Sequence, residues 1–126
     1  MDSSEVLDYL LNSPGHQQLD ADWVEGVSDQ IQEYPDWNLR RVRIADLNVL
    51  DIPSVVRRAR RYQELDSEAP PIVVVPDRAS GGLNILDGNA RAIAALKKGR
   101  STICAYIPEA SWLSGAQRRL RTRPCK

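Results

Sequence analysis

Ile72–Val75, a run of four consecutive β-branched residues, constrains the fold of this chain more than any other feature. Branching at Cβ favours extended backbone, and a run without polar alternation is typical of a strand covered on both faces. A second short strand, Leu83–Leu86, follows the loop Ala79–Gly82 closely enough to form a hairpin with the first. The pattern therefore predicts a central strand in a sheet with a layer on each side.

Further elements complete a small domain. Strands are expected over residues 39–44 and 102–107, and helices from Pro53 and over 90–98, with Gly99 ending the second helix. The fold class is therefore α/β (α+β), a small mixed sheet with flanking helices. The inward side chains are predicted to be Leu39, Val42, Ile44, Val55, Val56, Ala59, Tyr62, Ala92, Ile93 and Leu96.

Charge is divided sharply along the chain although the total is zero. Residues 1–39 hold nine acids and no Lys or Arg, whereas residues 40–126 hold 17 Lys and Arg and eight acids. This asymmetry fits an acidic arm on a basic body, a basic body that meets nucleic acid or nucleotide phosphates, or separate solvated helix faces. We divide the chain into an acidic helical extension (1–38), a main domain (39–108) and a basic tail (109–126). In the extension, Ser4 is predicted to cap a first helix, and a second helix is predicted to start at Asp20. The tail is expected to form an amphipathic helix around Trp112, Leu113, Ala116 and Leu120.

Composition narrows the class of protein. No stretch approaches the roughly 20 apolar residues that cross a bilayer, and the acidic N-terminus does not resemble a secretory signal. We therefore expect a cytoplasmic chain with no membrane partner. Cys104 and Cys125 are too few for a disulfide framework, so Cys104 is predicted to be a buried thiol. With the single His16 they give no zinc-binding spacing.

The segment Asp87–Arg91 carries the strongest chemical signal. It joins a strand directly to a helix, whose first turn has unpaired N–H groups and a positive dipole end. Gly88 allows close approach, Asn89 can cap the helix or hold a ligand oxygen, and Arg91 suits phosphate. Asp87 could bind a metal or act as a base. The same residue types also suit a common turn, a cap and a surface arginine.

The order of motifs over residues 40–108 resembles the N-terminal domain of ParB proteins. That family has a Pro-Ile-x-Val strand, a short loop, a second strand, Gly-Glu-Arg-Arg at a helix start, an alanine-rich helix, Gly, and a strand ending near Pro. Here the corresponding segments are 70–75, 83–87, 88–91, 92–99 and 102–108. The ParB/sulfiredoxin-like fold is what this resemblance implies.

The resemblance also implies a ligand. A nucleoside triphosphate of the ATP or CTP type with Mg²⁺ would place its phosphates at Gly88 and Asn89, with Arg91 neutralising charge and Asp87 holding the metal.

Sulfiredoxins have a nucleophilic cysteine where this chain has Asn89, so that activity is not expected. Ala90 replaces the His or Arg of other branches and receives no role. In a related serine kinase branch an acid before the central strand serves as base, and here the candidates are Glu64, Asp66 and Glu68.

Three hypotheses follow. The first is a nucleotide-binding domain with weak hydrolysis or phosphotransfer. The second is a DNA-binding or nuclease-like module that uses the basic tail and the basic helix residues Arg57, Arg58, Arg60 and Arg61, without a helix-turn-helix for sequence recognition. The third is a degenerate ParB-like fold that acts as a protein-interaction regulator.

Overall fold

The computed structural model describes residues 1–12, 21–64 and 69–125. The described ranges contain five helices and six strands, with 3₁₀ turns at Ile44–Asp46 and Ala110–Trp112. The helices are α1 (Ser3–Leu11), α2 (Ala21–Gln32), α3 (Pro53–Gln63), α4 (Asn89–Lys97) and α5 (Gly115–Arg118). The strands are β1 (Trp37–Arg43), β2 (Leu47–Asn48), β3 (Ile72–Pro76), β4 (Leu83–Asp87), β5 (Thr102–Pro108) and β6 (Thr122–Pro124).

The strands form one mixed sheet in the order β2-β4-β3-β5-β1-β6. Strands β3 and β4 form the predicted antiparallel hairpin, and β1 is antiparallel to both β5 and β6. The pairs β2–β4 and β3–β5 are parallel. The predicted fold class, a small mixed sheet with flanking helices, is confirmed.

Strand β3 is covered on both faces, as its sequence predicts. Ile72 and Val74 belong to a core cluster with Ala92 and Ala95 of α4. Val73 and Val75 belong to a second cluster, on the other side of the sheet, with residues of α1 and α2. Alternate residues of a strand point to opposite faces, so these clusters define a three-layer arrangement of helix, sheet and helix.

Helix α3 packs beside α4 rather than on the sheet alone. Val55 and Ala59 of α3 meet Ile93 and Ala94 of α4 in a third cluster, with Val56 and Tyr62 partly buried against it. The predicted inner stripe of α3 is therefore confirmed.

Two predicted core residues are exposed. Leu39 lies on the same face of β1 as Trp37, but α1 and α2 cover Trp37 and leave Leu39 39% exposed. Leu96 is 50% exposed, and it belongs neither to the cluster that α4 forms with the sheet through Ala92 and Ala95 nor to the one that α4 forms with α3. The predicted burial of Leu39 and Leu96 is therefore wrong. Ile44 is buried as predicted, but it lies in a 3₁₀ turn and not in a strand.

The C-terminal segment does not form the single amphipathic helix that was expected. It contains the short helix α5 and then β6, which pairs with β1 at the edge of the sheet. Trp112 and Ala116 are exposed, whereas Gln117 is buried. The Gln117 amide donates to the carbonyls of Asp77 at 2.8 Å and Gly82 at 3.2 Å, which anchors this segment on the β3–β4 loop. Leu113 and Leu120 are partly buried against the core, as expected.

Cys104 is buried as predicted but is not a thiol. It forms a disulfide with Cys125, and the two Cα atoms are 6.0 Å apart. Because β1 lies between β5 and β6 in the sheet, the bond joins the end of the chain to a strand two positions away. Two cysteines are too few for a framework of several disulfides, but this single bond attaches the end of β6 to β5.

The two N-terminal helices pack directly on the sheet. Helix α1 is capped by Asp2 rather than by Ser4, because Asp2 and Glu5 form a reciprocal capping box. The predicted start of the second helix at Asp20, and His16, lie outside the described residues. The division into segments 1–38, 39–108 and 109–126 stays a prediction. Among the described helices, none is both long and apolar enough to span a bilayer.

Candidate functional site

The predicted strand–turn–helix junction is present. Strand β4 ends at Asp87, Gly88 turns the chain with φ +113° and ψ 19°, and α4 begins at Asn89. Residues other than glycine rarely adopt this backbone conformation, so the presence of Gly88 in the sequence explains the turn.

Gly88 is required by packing as well as by its backbone angles. A Cβ at this position would lie 2.7 Å from Ile72 Cβ and still closer to Ile72 Cγ2. Ile72 is fully buried in β3 and has no room to move. Because glycine has no side chain, the turn can pack against the core of the protein. The sequence pattern alone instead indicated the close approach of a ligand at Gly88.

Arg91 points into the protein and forms an ion pair with Asp87. Its Nη2 donates to Asp87 Oδ2 at 2.6 Å, and the two side chains are only 5% and 6% exposed. Its Nη1 donates to the carbonyl oxygens of Pro71 at 2.9 Å and Pro70 at 3.2 Å. The guanidinium thus joins the start of α4 to the end of β4 and to the segment that enters β3.

Tyr9 extends this network to α1. Its hydroxyl accepts a long hydrogen bond of 3.5 Å from Arg91 Nη1 and donates to the carbonyl of Pro71. Its ring packs edge-on against Tyr106 with centroids 4.8 Å apart. Burial raises the pKa of Tyr9 above its ordinary value, although the nearby Arg91 opposes this shift.

The charge state of Arg91 is fixed by the same contacts. Burial alone would lower its pKa, but the attraction and hydrogen bond of Asp87 outweigh this effect, and the pKa of Arg91 is raised. Arg91 therefore remains a cation, and the Asp87 carboxylate is its partner.

Asn89 connects the start of α4 to the loop before α3. Its Oδ1 accepts a hydrogen bond of 2.8 Å from the backbone N–H of Leu50. The start of α4 is partly exposed to solvent at Gly88, Asn89 and Ala90.

The structure thus brings the predicted motif together but gives each member an internal contact. Asp87 Oδ2 accepts a hydrogen bond from the guanidinium of Arg91, and the metal role of Asp87 stays a prediction. Within residues 1–12, 21–64 and 69–125, no three His, Cys, Asp or Glu side chains form a metal-binding group.

A small cavity lies beside α4. Its volume is about 20 Å³, which corresponds to roughly one water molecule, and its polar lining comes from Tyr62, Arg91, Lys98, Arg100 and Thr102. Gly88 and Asn89 do not line it. A nucleotide does not fit in this space.

The four arginines of α3 form a separate feature, which we call the arginine face. Arg57, Arg58, Arg60 and Arg61 are all exposed, because the opposite side of the helix carries the contacts with α4. In the described part of the chain none of the four forms an ion pair or donates a side-chain hydrogen bond.

The acids proposed from the kinase branch do not gather around the motif. Glu64 is the exposed C-cap residue of α3, and its side chain forms no ion pair or hydrogen bond with another described residue. Asp66 and Glu68 lie outside the described residues.

Sequence reasoning missed the ion pair and its partners. The spacing of Asp87 and Arg91, four residues apart at a helix start, is a usable signal for an ion pair. The contributions of Tyr9 and of the Pro70 and Pro71 carbonyls depend on the tertiary fold and leave no local signal.

No model of a known protein family matches this sequence, and no curated protein matches it either. The resemblance to the ParB N-terminal domain therefore stays a prediction.

Proposed function

We propose that this chain binds the phosphate backbone of nucleic acid through the arginine face of α3, without reading base sequence. The observation that carries the proposal is four exposed arginines on one 11-residue helix that contains no acid. Arginine is the side chain best suited to phosphate, since it presents a permanently charged planar fork of donors.

The arrangement is unfavourable for the helix itself. Arg57 lies three and four residues from Arg60 and Arg61, and Arg58 lies three residues from Arg61, so like charges are neighbours on the helix surface. Each such pair destabilises a helix by about 0.2–0.5 kcal/mol. Arg60 and Arg61 gain from the negative end of the helix dipole, but Arg57 and Arg58 lie before the last turn and do not. A bound polyanion would relieve this repulsion.

The dimensions also suit a nucleic-acid strand. The rise from Arg57 to Arg61 is about 6 Å along the helix axis. Phosphates follow one another about every 3.4 Å along the axis of a DNA strand. The arginine face can therefore meet two to four phosphates, roughly, of one strand, depending on how the helix lies.

The geometry supports this surface better than the nucleotide site predicted at residues 87–91. Arg91 and Asp87 neutralise each other in the interior, and the cavity nearby is too small for a nucleotide. Nucleotide binding, with or without hydrolysis, therefore stays a prediction, and the DNA-binding alternative becomes our proposal in its backbone-binding form.

Fluorescence anisotropy with a labelled DNA duplex over a range of salt concentrations tests the proposal. Each phosphate neutralised contributes about −0.9 to the slope of log affinity against log salt. We expect Arg57→Ala/Arg61→Ala to reduce the magnitude of that slope by about two. Alanine favours helix, so the variant should fold.

Arg121→Ala/Arg123→Ala is the matched control, since it removes two exposed charges from the C-terminal segment. It should leave the slope nearly unchanged. Absence of salt-dependent binding by the natural chain, or an equal loss of slope in both variants, would overturn the assignment to α3.

A further inference from the structure

Helix α2 and the residue that follows it carry an acidic stripe that matches the arginine face in spacing. Glu25, Asp29 and Glu33 follow one another at intervals of four residues and are all exposed. No ion pair joins them to another residue of the described ranges, and residues 1–39 contain no Lys or Arg. The repeat of about 6 Å equals that between Arg57 and Arg61.

The stripe and the arginine face lie on opposite sides of the molecule. Helices α1 and α2 cover one face of the sheet through the cluster that holds Val73 and Val75. Helix α4 covers the other face, and α3 packs beside it. The two charged surfaces of one copy therefore cannot reach each other, but those of two copies can.

We infer that the acidic stripe of one copy docks on the arginine face of a second copy, so that copies associate head to tail. Opposite charges at the same spacing favour this register, whereas two arginine faces or two acidic stripes repel. An interface between different surfaces on opposite sides of a molecule leaves one free surface at each end, so association forms open chains rather than closed pairs.

This inference rests on the proposed function only in using the same arginines. If both hold, a second copy and nucleic acid compete for the arginine face, and self-association limits binding. Both contacts are exposed and electrostatic, so self-association should weaken steeply as salt screens the charges.

Two variants that each lose one surface provide the test. Arg57→Ala/Arg61→Ala keeps the acidic stripe, and Glu25→Gln/Asp29→Asn keeps the arginine face. Sedimentation velocity is measured without nucleic acid at about 0.02 M and about 0.5 M salt, on either side of the concentration where the screening length is about 10 Å.

We expect the natural chain to form species larger than a dimer at low salt and monomers at high salt. Each variant alone should be at least about tenfold weaker in self-association, since two charges of the contact are removed. An equal mixture of the two variants retains one intact contact and should form a species of dimer size. Arg121→Ala/Arg123→Ala should behave like the natural chain.

A natural chain that stays monomeric at low salt would overturn the inference. So would self-association that either variant leaves unchanged, or a mixture that remains monomeric while the natural chain associates. Because nucleic acid is absent, these results do not depend on the proposed function, and loss of DNA binding with intact head-to-tail association would count against that function alone.

Discussion

Arg91 Nη2 and Asp87 Oδ2 lie 2.6 Å apart at the junction of β4 and α4, buried from solvent on both sides. A charged pair in this position stabilises the junction only while both partners are present, because each neutralises a charge that burial would otherwise penalise. Two of the residues that resemble a phosphate cradle in sequence therefore hold β4 and α4 together in the folded chain.

Removal of one partner should be costly. Arg91→Met leaves the Asp87 carboxylate buried without its cation, and we expect the free energy of unfolding to fall by about 3–5 kcal/mol. Urea unfolding followed by circular dichroism measures this loss. The double variant Asp87→Leu/Arg91→Met should recover much of it, since no isolated charge remains. A loss below about 1 kcal/mol in the single variant, in the range of exposed pairs, would show that the pair is not buried as described.

Gly88→Ala should destabilise the chain more than a helix-start substitution normally does. The new Cβ would overlap Ile72, and the backbone has φ +113°. We expect a loss of about 3 kcal/mol or more in the free energy of unfolding, since strain and overpacking add. Gly26→Ala in α2 is the control, because a Cβ there meets no atom within 4 Å. It should be neutral or stabilising.

The raised pKa of Tyr9 predicts an alkaline loss of stability. A group with a folded pKa above its unfolded value stabilises the folded state below the unfolded pKa, here 10.0, and this contribution is lost as pH rises through the folded pKa. We therefore expect the free energy of unfolding of the natural chain to fall between pH 9 and pH 12, roughly, by more than that of Tyr9→Phe. Equal pH dependence in both would contradict burial of this hydroxyl.

The disulfide should hold the edge strand β6 in place. Cys104 and Cys125 enclose a loop with a sequence separation of 21, for which the chain-entropy model gives about 3 kcal/mol. Treatment with a dithiol reductant should lower the free energy of unfolding by about this amount. Amide hydrogen exchange should also accelerate at Thr122 and Arg123 of β6, a strand with only three residues paired with β1. Cys104→Ser/Cys125→Ser should not respond to the reductant.

Much of the fold can be predicted from local sequence because local rules determine those parts. The apolar run of β3, the glycine that ends α4 and the apolar stripe of α3 each specify an element without help from distant residues. Leu39 and Leu96 show where such reasoning stops. Periodicity states that a residue is apolar, but its burial depends on whether a neighbouring layer extends that far.

The candidate site was less predictable for a different reason. The sequence identifies the residue types in Asp87–Arg91 correctly, but it does not show which way the guanidinium points. That direction is set by the carbonyls of Pro70 and Pro71 and by Tyr9, which is 82 residues from Arg91 in the chain. The arginine face was easier to predict, since an amphipathic helix leaves its charged side in solvent.

The most direct test compares two double variants in one DNA-binding titration over salt concentration. Arg57→Ala/Arg61→Ala removes charge from the arginine face, whereas Asp87→Leu/Arg91→Met removes the buried pair and leaves that face intact. We predict that the first reduces the magnitude of the salt slope by about two and that the second leaves it unchanged. The reverse result, with the slope lost only in the second variant while that variant remains folded, would place the phosphate contact at the strand–turn–helix junction and contradict the role proposed for α3.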